Sequence, residues 1–289
     1  MVASWMGRSC TGRRPVQSLL LMSAAATLVT ACGGVLRPEF PEVPGVQEID
    51  LQFRPRAGMR LTCDASTTAE VATGFRPWER KRIETASKIT LDIPTVGPDY
   101  FDFAITASAF PGTVTVRFST KDWSLLRFAF DDGTGKKEIR LDEEAVVGLD
   151  RKKVDLQKLK AELQPIQDLL KQVSQFWGRW RVGELKPFEV RLPMQGGADA
   201  AFVLNSILRR VVLINGRAAA EFEQAGHGQM AFREASVSVE VTGTQWVDLL
   251  TGLSLRSVQK VTGAGTSQDE PRKIEIANEQ TLDCTRSRL

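Results

Sequence analysis

Few side chains in this chain are placed to do chemistry. The one histidine, His227, stands between Gly226 and Gly228. A triad histidine or a zinc ligand needs a rigid element to aim it and a carboxylate or second ligand beside it. A glycine-flanked loop offers neither, so a surface turn is expected there. Gly135-Lys136-Lys137 has the end of a phosphate-binding loop, but Phe130 stands where its first glycine belongs and Lys137 where a hydroxyl residue belongs. Asp131-Asp132-Gly133 lacks the alternating oxygen ligands and later glutamate of a calcium loop and reads as a hairpin tip. The expectation is a chain with no catalytic residues, no metal site and no cofactor, and so not an enzyme.

The four cysteines, Cys10, Cys32, Cys63 and Cys284, are the remaining reactive groups. Cys32 ends the run Leu28-Val29-Thr30-Ala31-Cys32, after an apolar stretch from Leu19 and a basic segment carrying Arg8, Arg13 and Arg14. That order is a signal peptide with small residues at its cleavage site. The apolar part covers residues 19–31, short of the roughly 20 residues a spanning helix needs. Arg13-Arg14 is followed by Pro15, which does not continue a twin-arginine motif.

The run resembles the lipobox of bacterial lipoproteins. The resemblance implies cleavage before Cys32, acylation of Cys32 and attachment to a membrane through its acyl chains. Gly33 follows the cysteine in place of aspartate, which by the enterobacterial sorting rule implies the outer membrane, facing the periplasm. Residues 1–31 are then the signal peptide, residues 32–46 a lipidated tether and residues 47–289 the domain.

Arg8, Arg13 and Arg14 are the only charged residues before Cys32 and account for the whole formal charge of +3. What remains is balanced, so nucleic acid is not an expected partner. With Cys10 removed and Cys32 acylated, Cys63 and Cys284 are left in strand-like segments at the two ends of the domain. An exported chain folds where disulfides persist. A bridge between them would close a loop of roughly 200 residues and add about 5 kcal/mol on chain entropy; the alternative is two free thiols.

Pro38, Pro41 and Pro44 recur at intervals of three, the spacing of an extended tether rising about 3 Å per residue. Beyond Gln47, apolar residues alternate. Ile83, Ile89, Leu91 and Ile93 share one face of a strand, and Phe101, Phe103 and Ile105 repeat the pattern. Short connections make these strands antiparallel. Asn215-Gly216 between two apolar runs predicts a primed two-residue turn. Thr251-Gly252 predicts another, and Gly263 to Pro271 reads as a polar loop.

One segment has a helical period. Leu156, Leu159, Leu163, Ile166, Leu170, Val173 and Trp177 fall three and four apart, predicting a core-facing helix over about 153–178, kinked at Pro165. Two aromatic-basic clusters, Phe75 to Arg82 and Phe176 to Arg181, suit a membrane interface or a pocket rim, or, for the second, a helix end packed on the sheet.

The lipobox, the proline spacer, the many antiparallel strands, the one apolar-faced helix, Trp180-Arg181-Val182-Gly183-Glu184 before a strand and the late hairpin Asp248 to Leu253 together resemble the β half-barrel proteins of bacterial envelopes, the fold of the Lol lipoprotein carrier and its receptor. The resemblance implies a mainly β domain whose curved antiparallel sheet wraps the helix on its concave face. A two-sheet sandwich is the alternative. It also implies a binding module for a hydrophobic small molecule or lipid, with Leu163, Ile166, Leu170, Val173 and Trp177 as ligand or lid contacts. The other expectation is an assembly lipoprotein that docks an envelope protein.

Overall fold

The computed structural model describes residues 39–74, 79–108, 110–149, 155, 157, 164, 167–168, 171–172, 174–194, 198–232, 235–267 and 273–287. Among them are fifteen strands. The N-terminal limb holds β1 (Glu48–Leu51), β2 (Met59–Gly74), β3 (Glu79–Ile93), β4 (Tyr100–Ala107), β5 (Phe110–Ser119), β6 (Leu125–Asp131), β7 (Lys136–Arg140) and β8 (Ala145–Val147). The C-terminal limb holds β9 (Gly178–Arg181), β10 (Leu185–Met194), β11 (Ala198–Ile214), β12 (Arg217–Phe232), β13 (Ala235–Asp248), β14 (Ser254–Ser267) and β15 (Lys273–Ser287).

Thirteen strands make one open antiparallel sheet in the order β10-β11-β12-β13-β14-β15-β2-β3-β4-β5-β6-β7-β8. Within it β2–β8 and β10–β15 are each a run of hairpins, because their connections are too short for crossovers. The non-sequential join pairs β15 with β2, setting Cys284 directly opposite Cys63. The two are disulfide-bonded across 221 residues of sequence, with Cα atoms 3.9 Å apart.

Asn215 (φ 50°) and Gly216 (φ 75°) form the tight turn between β11 and β12, with the positive φ at both central residues that a primed turn requires. The second turn differs from the two-residue expectation: residues 249–253 separate β13 from β14. Asp248 organises this loop, its carbonyl accepting from Gly252 N at 2.8 Å and its carboxylate from Thr251 N at 3.0 Å. An aspartate that bonds backbone two or three residues on favours such a wider turn.

The core lies on one face. Met59, Leu61 and Cys63 of β2, Ile89 and Ile93 of β3 and Phe101 and Phe103 of β4 join Leu255 of β14 and Leu282 of β15 in one buried cluster. Phe101 of β4 and Phe118 of β5 line one cavity with Leu204 of β11 and Val247 of β13, strands far apart in sheet order. The sheet therefore curls around this face.

A second cluster seats the two-stranded ribbon β1–β9 on it. Ile49 and Leu51 of β1 and Trp180 of β9, with Ile49 opposite Trp180, pack on Leu208 and Val211 of β11, Ala220 and Phe222 of β12 and Val247 of β13. The curled face is thus filled in part by β structure. No helix is delimited among the described residues, so the long helix expected over 153–178 is not supported by them. Leu156, Leu159, Leu163, Ile166, Leu170 and Val173 lie outside the described residues. Gln164 and Asp168, which are described, have helical backbone and share a hydrogen bond of 2.8 Å four residues apart.

Part of the stretch read as a tether belongs to the domain. Val43 N donates to Val211 O at 2.9 Å and Leu213 N to Pro41 O at 2.8 Å, while Phe40 meets Trp246 edge-on at 5.7 Å. β10 stops opposite Ile207, and this segment satisfies the backbone of β11 beyond it.

Gly263 lies within β14 and His227 within β12, so both loop assignments are corrected. The glycines of this region face large partners. Phe202 stands opposite Gly228, Gly228 opposite Val239, and Val239 opposite Gly263. A Cβ on Gly228 would sit 2.6 Å from Phe202 Cδ1, and one on Gly263 2.7 Å from Val239 Cγ1. The strand glycines are therefore packing partners rather than turn residues.

Candidate functional site

The limbs approach each other through aromatic side chains. Trp177 stacks on Trp123 with centroids 4.8 Å apart and planes 10° from parallel, and its Nε1 donates to Gly252 O at 3.2 Å. Phe53, on the connection from β1 to β2, contacts Phe101, Trp123 and Trp177 at 5.2, 5.1 and 5.4 Å. These rings wall a cavity of about 80 Å³, completed by Phe118, Phe176, Phe188 and the aliphatic Val190, Leu204 and Leu253.

Sequence rules explain how Trp123 comes to be there. Ser119 N donates to Ser124 O at 2.9 Å and Trp123 N to Ser119 O at 3.2 Å, closing the β5–β6 connection. Hydrogen bonds from Ser124 Oγ, Ser119 and Ser124 N hold the Asp122 carboxyl down to about 2. Trp123 has φ 60°, a left-handed conformation that costs a bulky residue roughly 1–2 kcal/mol. The turn holds it there, and the ring contacts offset the strain.

The cavity has a polar side. Ser206, Gln224 and Gln245 line it and are all buried. Gln224 Nε2 donates to Ser206 Oγ at 3.1 Å. Gln245, 4 % exposed, has an amide oxygen without a partner. Such an orphan acceptor costs about 1–3 kcal/mol. Among the described residues that line the cavity, none is charged.

Trp177 is the one sequence-predicted contact placed at this site. Leu163, Ile166, Leu170 and Val173 lie outside the described residues. Cys63 and Cys284 sit in the core, away from the cavity lining. Cys32 lies outside the described residues. Phe53, Trp123 and Gln245 were not foreseen: Trp123 reads as a strand residue by alternation, although Ser119, Asp122 and Ser124 mark a turn around it.

The aromatic-basic cluster from Phe176 to Arg181 packs inward. Phe176 and Trp180 meet Phe222 edge-on at 4.6 and 4.8 Å, and Arg179 and Arg181 are exposed. Residues 75–78 of the other cluster lie outside the described residues. No group of three or more potential metal ligands occurs among the described residues. His227 is exposed opposite Glu240, in an open concavity of about 1000 Å³ on the other face of the sheet. Glu70, Glu189, Arg191 and Glu275 share that concavity.

The β4–β7 part of that other face carries a charged ladder. Asp102 accepts from Arg117 Nε at 2.7 Å and Arg127 Nη2 at 2.9 Å. Glu138 accepts from Lys136 at 2.7 Å and Arg140 Nε at 2.7 Å. Burial acts to raise the Glu138 carboxyl, but the hydrogen bonds from Lys136 and Arg140 outweigh it and bring it down to about 2. The ladder braces four strands and has no access to the aromatic cavity.

No protein-family model matches the chain, and no curated protein matches it. Among solved structures it is similar to the hypothetical lipoprotein YmcC of Escherichia coli, at 11 % identity over 73 % of this chain and 85 % of that one, with a TM-score of 0.20. It is also similar to Ail, the attachment invasion locus protein of Yersinia pestis, at 7 % identity over 80 % of this chain and 100 % of that one, with a TM-score of 0.18. Scores this low carry no functional inference.

Proposed function

We propose that this chain is a bacterial envelope lipoprotein, anchored by acyl chains on Cys32 in the outer membrane and facing the periplasm, whose curled sheet binds a hydrophobic ligand or lipid. The observation that carries the binding role is the aromatic cavity between the limbs, lined at the described end of the segment 153–178 by Trp177. Ligand pockets usually hold about 300–1,000 Å³, so at about 80 Å³ this one admits only the end of a ligand in its present form. Entry of more requires the stacked Trp123 and Trp177 to part. The segment 153–178 is proposed as the lid, with Leu163, Ile166, Leu170 and Val173 as its contacts.

The test is mass spectrometry of lipids co-extracted with the purified protein, together with titration of the Cys32→Ser full-length chain with a fluorescent acyl probe. Stoichiometric lipid and saturable uptake are expected, with uptake weakened by Trp177→Ala. Neither lipid nor saturable uptake would reject the binding role in favour of the assembly one.

A further inference from the structure

The polar groups of the cavity select among hydrophobic ligands. Gln245 is buried, lines the cavity and leaves its amide oxygen unpaired. Ser206 and Gln224 already bond to each other at 3.1 Å. No cation stands among the described lining residues to receive a negative charge, and a carboxylate taken from water without one is heavily penalised. The volume, about 80 Å³, suits a small head and its first carbons, since a water's share of liquid is about 30 Å³.

Resting on the reading of this cavity as a ligand site, we infer that it takes the neutral, hydrogen-bond-donating head of an amphiphile, a hydroxyl on an alkyl or acyl chain, whose proton is given to the Gln245 amide oxygen. Against the described lining an ionised fatty acid binds more weakly than the alcohol. The chain leaves where Trp123 and Trp177 part, so that apolar ring faces cover it.

The experiment titrates the Cys32→Ser full-length protein with dodecanol, monododecanoylglycerol, methyl dodecanoate and sodium dodecanoate, following tryptophan fluorescence. Dodecanol should bind about three- to tenfold tighter than methyl dodecanoate, the range one net hydrogen bond supplies, and dodecanoate weakest. Monododecanoylglycerol distinguishes an acylglycerol source of the hydroxyl from a simple alcohol by binding tighter or weaker than dodecanol.

In Gln245→Leu the preference for the alcohol over the ester should vanish. The ligand-free variant should melt no lower than the parent, because it loses an unpaired buried acceptor. Equal binding of alcohol and ester to the parent, tightest binding of dodecanoate, or a preference that survives Gln245→Leu would overturn the inference while leaving the cavity a ligand site. Binding of none of the four would overturn both.

Discussion

Cys63 and Cys284 face each other across the β2–β15 seam, the pairing that joins the first long strand to the last and holds the two limbs in one sheet. Every other neighbouring pair in the sheet follows in sequence, so local turns bring those strands together. The seam alone closes a loop of this length, and the bridge removes that loop's entropy from the unfolded chain. The double variant Cys63→Ser/Cys284→Ser should lose about 2–5 kcal/mol by urea denaturation. Hydrogen exchange should rise first in β2 and β15; a uniform rise across β11–β13 as well would contradict the special role of the seam.

Trp123 should be worth more than its half-buried position suggests. Trp123→Ala removes contacts to Phe53, Phe101 and Trp177 and should cost about 2–3 kcal/mol, below the roughly 3–5 of a fully buried tryptophan. The stacked Trp123–Trp177 pair should give an exciton couplet in far-ultraviolet circular dichroism. The couplet should disappear in the variant while the sheet signal stays.

Glu138 sets part of the acid limit. Its carboxyl is lowered from 4.5 to about 2 in the folded chain. Its stabilisation is therefore complete above the unfolded value and is lost as pH falls from about 4.5 through about 2. Glu138→Gln should cost about 2 kcal/mol at neutral pH, with the difference shrinking to a few tenths by about pH 2, where the folded carboxyl is half protonated. Parallel stability curves for parent and variant between these limits would contradict the role given to Lys136 and Arg140.

Gly228 has no room for a side chain: a Cβ would lie 2.2 Å from Ala201 O. Gly228→Ala should cost about 1–3 kcal/mol by forcing β11 and β12 apart. Gly228→Ala combined with Phe202→Ala should not recover the loss, because the closer clash is with backbone.

Cys32→Ser should release the protein from membranes. Each buried methylene contributes roughly 0.8 kcal/mol, and two or three acyl chains anchor without a spanning helix. Fractionation of parent and variant reads this directly; equal retention of both would remove the lipidation assignment.

What the sequence determined by itself is local. Alternation in β3 and β4, the positive-φ turn at Asn215-Gly216 and the antiparallel order all follow from side-chain period and turn chemistry, which act between near neighbours. The strand glycines Gly228 and Gly263 read as loop residues because a missing side chain looks alike in a turn and opposite a large partner. The docking of Phe40 on Trp246 reads as tether for the same reason: proline spacing describes an extended backbone, not what it lies against. Only the tertiary structure decided which strands meet across the curl, so it alone could bring Phe53, Trp123 and Trp177 around one cavity and bury Gln245 at its side. Those residues come from separate connections and strands, and their contact depends on the β15–β2 seam, a pairing that no local pattern encodes and that the sequence marks only through Cys63 and Cys284.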